Sequence, residues 1–129
     1  LYLEVMERLV LPRLRKFKPD MIVIACGFDA SAIDPLARML ATSDTFGELT
    51  RFAMLAAQEL CNDRLAFVHE GGYSEVYVPF CGHRVIAELS GSSIIAADPY
   101  KKIFDARQPN ERLDKFYSGL IKEFHDFLL

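Results

Sequence analysis

Two short stretches of this chain, "ACGFDASAIDPL" (25–36) and "HEGGYSEVYVPFCGHRVIAELSG" (69–91), gather residues whose types and spacing could do chemistry. The first places Asp29 just after the apolar run Met21–Ala25, with Asp34 five positions on and locked against Pro35. The second brings His69, Glu70, Gly71, Gly72 and Tyr73 together. Each has a plain reading. An aspartate at a strand end often caps the next turn, and Tyr73 could be a core aromatic with its hydroxyl satisfied. "HEGGY" stops short of the metal-binding H-E-x-x-H, because its last position is Tyr and its Gly-Gly centre disfavours the helix that motif needs. A Gly-Gly turn opening a helix could bind an anion. Here Glu70 and Glu75 flank the turn and repel one, and neither G-x-G-x-x-G nor G-K-[ST] is present. No D-x-H and no His-His pair occurs. His69 reads as a structural group or as support for a neighbouring ligand, His83 and His125 as surface or packing residues, and Cys26 and Cys81 as small core hydrophobes.

The elements that must position these groups alternate in type. "LYLEVMERLVLPRLRKFKPD" carries a helical stripe (Leu3, Met6, Leu14, Phe17), and Pro12 predicts a kink or a fresh turn within it. Lys18-Pro19-Asp20 ends that helix. Met21–Ala25 is continuously apolar, the pattern of a parallel strand covered on both faces. Residues 44–62 are helical, capped by Thr42, Ser43 or Thr45, with Thr45 and Glu48 placed to make a capping box. A second strand lies in "RLAFVHEGGY", and a helix follows, capped by Ser74, with Pro79 in its first turns and Gly91 at its stop. Ser92–Ala97 is expected as a short edge strand. Residues 110–129 form an amphipathic helix whose stripe includes Leu113, Phe116, Ile121, Phe124 and Phe127. Open parallel sheets place their sites beyond the carboxyl ends of the strands. Asp29 follows one such end and Tyr73 the other.

Composition narrows the partners. At 129 residues, 51% hydrophobic, the chain is the size of one domain, and its formal net charge of −3 with mixed signs argues against a nucleic-acid surface. Three cysteines at unrelated spacings point to a reduced, cytoplasmic protein. No apolar run approaches the roughly 20 residues that span a bilayer. The chain opens on Leu1 in mid-helix, and two strands make no stable sheet alone. The expectation is the C-terminal piece of a longer protein.

The two quoted stretches resemble the histone deacetylase superfamily, more narrowly its bacterial class II-like deacetylase and acetylpolyamine amidohydrolase branch. G-F-D-A with D-P-L five residues on, then E-G-G-Y, stand in that family's order, and the resemblance spans most of residues 10–98. It implies an α/β fold, a three-layer αβα arrangement around a mainly parallel sheet (arginase/deacetylase-like), with residues 1–129 as the C-terminal part of a single catalytic domain.

The resemblance also implies site roles. Asp29 becomes one of three ligands to a Zn2+ ion, Asp34 a loop-shaping residue near the site, and Tyr73 the hydrogen-bond donor to the scissile amide oxygen. Gly71 and Gly72 become part of the wall of a narrow acyl channel. The other zinc ligands, an Asp and a His one residue apart, and a tandem histidine pair belong upstream in such proteins. The implied activity is zinc-dependent hydrolysis of an acetyl or short acyl amide, in acetyl-lysine or an acetylated polyamine, with the 129 residues inactive alone. A non-catalytic interaction module or degenerate homologue is the alternative. The apolar stripe of the terminal helix could serve a homo-oligomer as readily as the chain's own core.

Overall fold

The computed structural model describes residues 1–37 and 39–128. The chain opens with one helical rod in three parts, α1 (Tyr2–Val5), a π-helical stretch Met6–Val10, and α2 (Leu11–Phe17). The irregularity expected at Pro12 is the widening just before it. A proline at that position cannot donate to the carbonyl of Arg8 and its ring crowds that carbonyl, and the π-helical stretch contains Arg8. Lys18 ends the rod in a left-handed conformation, φ 56°.

Strand β1 (Ile22–Cys26) leads through a long loop to α3 (Ser43–Cys61), then to β2 (Leu65–His69) and α4 (Val78–Ser90). The cap of α3 is Thr42 with Thr45 as its reciprocal partner, rather than Thr45 with Glu48. Thr42 Oγ1 accepts from the Thr45 amide, and the Thr42 amide donates back to Thr45 Oγ1 at 3.2 Å. Glu48 lies a turn deeper and pairs with Arg51. The helix after β2 begins later than expected. Residues 74–77 form a separate turn in which the Ser74 carbonyl, not its side chain, accepts from the Tyr77 and Val78 amides. Tyr77 takes the cap position without a side-chain bond, Pro79 falls in the first turn, and Gly91 stops the helix at φ 64°.

The two strands pair in parallel, Ile22 opposite Leu65 and Cys26 opposite His69, so both end at the same level. Their inner face carries Ile22, Ile24 and Leu65 against Leu11, Ala56, Ala57 and Cys61. A second core lies beyond the strand ends, where Phe28, Phe46, Tyr77, Cys81, Val85 and Phe104 are all buried. The opposite face departs from the expectation of cover on both sides, since Val23 is 60% and Val68 49% exposed. All the helices packed on the strands among the described residues lie on the inner face, which leaves the outer one bare.

Ser92–Ala97 is not a strand. The segment runs beside α4, where His83 Nε2 lies 3.0 Å from the Ile94 carbonyl oxygen and 3.1 Å from the Ala96 amide nitrogen and bonds one of the two, as its tautomer dictates. A short helix α5 (Lys101–Asp105) follows, unanticipated by its sequence, and then α6 (Glu111–Leu128). Of the expected α6 stripe only Ile121 is buried, while Phe116, Phe124 and Phe127 are exposed. Leu129, the last residue of that expected helix, lies outside the described residues.

Candidate active site

Because β1 and β2 end side by side, the loops that leave them run together. The Phe28 amide donates to the Gly71 carbonyl at 2.8 Å and the Glu70 amide to the Cys26 carbonyl at 3.3 Å, carrying the pairing past the last ladder residues. Phe28 turns into the core, 5% exposed, with its ring edge-on to Phe46 at 5.2 Å and its face near the His69 ring at 5.3 Å. This inward anchor fixes the backbone that carries the next residue, Asp29.

Asp29 and Asp34 are used differently. The Asp29 carboxylate is half-buried and has no hydrogen-bond or ion-pair partner among the described residues, so it is not capping a turn. Two glycines leave it space. A side-chain carbon at Gly27 would fall 3.0 Å from Oδ1, and one at Gly71 2.8 Å from Oδ2. Asp34 is buried and its carboxylate is fully engaged. Oδ1 accepts from the amides of Leu36 (2.8 Å) and Ala37 (3.2 Å), the turn expected of Asp before Pro, and Oδ2 accepts from the Tyr73 amide at 2.9 Å. Desolvation pushes its carboxyl up, but the three backbone donors, Tyr73, Leu36 and Ala37, outweigh this and hold it below the usual carboxylate range.

Tyr73 is 55% exposed, so it is no core aromatic. A side-chain carbon at Gly71 would lie 3.6 Å from its hydroxyl. The same point lies 2.8 Å from Asp29 Oδ2, so the phenol and carboxylate oxygens are separated by no more than those two distances together. Asp29, Tyr73 and Gly71 therefore converge. Gly72 is turned away, since at φ +119° its side-chain position points at Phe28 Cβ (2.8 Å) and Val78 Cγ2 (3.0 Å). His69 Nε2 lies 3.0 Å from the Gly71 carbonyl oxygen, which can only accept, so this nitrogen donates and shapes the loop.

One carboxylate does not make a metal centre. Among the described residues no group of three His, Cys, Asp or Glu side chains could hold a metal ion. A hard oxygen donor with room before it, at the carboxyl end of a parallel strand, does fit as one ligand of a zinc site.

The sequence reading missed Tyr77 and Asp98. Tyr77 is completely buried, and its hydroxyl donates to Asp98 Oδ2 at 2.8 Å and accepts from the Ser43 amide at 3.1 Å. The available signal was Asp98-Pro99-Tyr100, which repeats the pattern of Asp34-Pro35-Leu36. In both, aspartate Oδ1 accepts from the amide two residues on, at 2.8 Å.

Comparison with known proteins places the chain in a family. The histone deacetylase domain family matches residues 1–89, and the chain belongs to that family. It is similar to the histone deacetylase-like amidohydrolase of Pseudomonas aeruginosa, 48% identical over 95% of this chain and 32% of that protein. It is also similar to the chloroplastic histone deacetylase 14 of Arabidopsis thaliana, 31% identical over 81% of this chain and 27% of that one. Among solved structures, the crystal structure of the HDA15 HD domain matches with a TM-score of 0.63 at 31% identity, covering 76% of this chain and 27% of that one. The fold is accordingly α/β of the arginase/deacetylase-like three-layer type, and the chain spans about a third or less of the length of these relatives.

Proposed function

We propose that this chain supplies one edge of a zinc-dependent amide hydrolase site, as the C-terminal part of a single catalytic domain. The reaction removes an acetyl or short acyl group from acetyl-lysine or an acetylated polyamine and releases a carboxylic acid and a free amine. The observation that carries this reading is the convergence of the Asp29 carboxylate and the Tyr73 hydroxyl over Gly71. Asp29 is one metal ligand, and the remaining ligands and the histidine bases come from residues outside this chain. When bound, zinc supplies Lewis acidity towards a carbonyl and lowers the pKa of water towards about 7.

The chain's own residues do the rest. Tyr73 donates a hydrogen bond to the amide oxygen, and that bond strengthens as negative charge develops, so it favours the transition state over the bound amide. Gly71 keeps the approach to Asp29 clear for a narrow acyl group, and Gly72 lends only its backbone to the wall of that channel. Asp34 fixes the backbone of Tyr73 through the 2.9 Å bond to its amide.

The substrate is thus a small acetylated amine or an acetyl-lysine side chain rather than a nucleic acid or a lipid. The three free cysteines, at unrelated spacings, support a cytoplasmic setting. No helix among the described residues is long and apolar enough to cross a membrane. The exposed α6 stripe offers a surface for a homo-oligomer or for the rest of the domain's own core. The experiment is metal analysis and deacetylation by the intact protein and by Asp29→Asn, an amide that keeps the shape and removes the charge. One zinc per chain in the parent, with zinc and activity both lost in Asp29→Asn, is the expected result. A parent protein without zinc would favour a non-catalytic interaction module.

A further inference from the structure

The Tyr73 ring is mostly exposed, so packing does not hold the phenol in place, and its aim depends on the backbone that carries it. On one side that backbone is tied to Asp34. On the other, a single turn runs from Tyr73 to Tyr77, closed by the Ser74 carbonyl, which accepts from the Tyr77 amide at 3.2 Å and the Val78 amide at 3.0 Å. Tyr77 is the first rigid point after Tyr73.

Its hydroxyl sits in a closed ring of bonds. It accepts from the Ser43 amide at 3.1 Å and donates to Asp98 Oδ2 at 2.8 Å, and Ser43 Oγ donates to the same Asp98 oxygen at 2.7 Å. Asp98 Oδ1 accepts from the Tyr100 amide, which fixes the carboxylate from behind. Every donor and acceptor in the ring is used in one sense only. The ring joins the far end of the Asp29 loop, at Ser43, to the far end of the Tyr73 loop, at Tyr77, through a segment that lies beyond the family-matched residues 1–89. The two loops are thus clamped at both ends, by Asp34 near the site and by Asp98 away from it.

We propose that Tyr77 and Asp98 are positioning residues for the Tyr73 hydroxyl, acting through the Ser43–Tyr77–Asp98 ring on the turn that carries it; the proposal rests on the reading of Tyr73 as oxyanion donor. Burial raises the Tyr77 hydroxyl far above its usual range, the Ser43 amide works against this and the neighbouring Asp98 carboxylate adds to the rise, so it remains a donor across the working pH. Loss of the ring leaves the Tyr73 phenol present but loosely aimed, and a contact made in the transition state is sensitive to misplacement of a fraction of an ångström.

The test measures kcat and KM of the intact enzyme on an acetyl-lysine amide and on its trifluoroacetyl counterpart, whose activated carbonyl needs less oxyanion help. The variants are Tyr73→Phe, Tyr77→Phe, their double variant and Asp98→Asn. Tyr77→Phe is expected to lower kcat on the acetyl amide roughly tenfold with KM changed less than about twofold, and to lower it far less on the trifluoroacetyl amide. The double variant is expected to be no slower than Tyr73→Phe alone, because both changes remove one contact. Asp98→Asn, at a half-buried position, should show the same substrate dependence and gives the readout should Tyr77→Phe not fold. Equal fractional losses on both substrates, or losses that multiply in the double variant, would overturn the positioning role while leaving the Tyr73 reading standing. Normal turnover in Tyr73→Phe would instead overturn that reading, and the positioning role with it.

Discussion

The adjacent glycines offer a paired perturbation, because alanine at Gly71 and at Gly72 should fail for different reasons. At Gly71 the backbone conformation suits any residue, and the added methyl carbon would meet Asp29 Oδ2 at 2.8 Å and Cγ at 3.2 Å. An ordinary contact requires the carboxylate to retreat by roughly half an ångström, and displacement on the scale of about 1 Å at a reacting centre can cost a hundredfold. Gly71→Ala should therefore fold normally and lose about ten- to a hundredfold in kcat/KM. At Gly72 the backbone is at φ +119° and the methyl would press on Phe28 Cβ at 2.8 Å and Val78 Cγ2 at 3.0 Å, both anchored in the core. Backbone strain of about 1–3 kcal/mol and overpacking of about 1–3 kcal/mol add there, so Gly72→Ala should destabilise by about 3 kcal/mol or more. Thermal melts and acetyl-lysine amide kinetics on the intact enzyme separate the two. If Gly71→Ala kept full turnover, Asp29 would not sit at the reacting centre. If both variants lost stability alike, the two glycines would share a structural role only.

Two further expectations concern stability and assembly. Asp34 has a folded-state carboxyl pKa below its ordinary 3.8, so the stability it contributes is fully present above that value and is lost as pH falls through the lower, folded one. The melting difference between the parent and Asp34→Asn should therefore be widest near neutrality and shrink below about pH 4; a difference independent of pH would show that the three backbone bonds do not depend on charge. The 129 residues expressed alone should melt without cooperativity and hold no stoichiometric zinc. Their 8395 Å² of accessible surface exceeds the roughly 6,900 Å² of a compact protein of this mass, and the bare sheet face and α6 account for where it lies. A sharp melt with one zinc per chain would contradict this.

The sequence made the strand ends legible because a continuous apolar run followed by Gly-Phe-Asp or Glu-Gly-Gly-Tyr has few other readings. What it could not supply was anything that depends on three-dimensional neighbours. Thr42, Ser43 and Thr45 are all competent caps, and only the folded backbone, extended at Thr42, selects Thr42 with Thr45 as partner. Ser74 reads as a cap, yet the turn 74–77 intervenes and hands the cap position to Tyr77, whose hydroxyl bonds Asp98. Ser92–Ala97 has the composition of a strand, yet its backbone meets the His83 ring rather than a neighbouring strand. The division of labour between Asp29 and Asp34 was legible only through family resemblance. Their geometry separates them directly, one carboxylate bound by three amides and the other left without a partner among the described residues.

The most direct test of the central claim is kcat for Tyr73→Phe in the intact enzyme on an ordinary acetyl-lysine amide, with zinc content measured on the same sample. Removing one oxyanion donor typically costs about a hundredfold to a thousandfold, or roughly 3 to 4 kcal/mol, and the ring that remains is too exposed to alter the fold. A fall of that size in kcat, with KM nearly unchanged and zinc retained, is the predicted result. Turnover close to that of the parent would contradict it, and would make Tyr73 a bystander at the mouth of the loop.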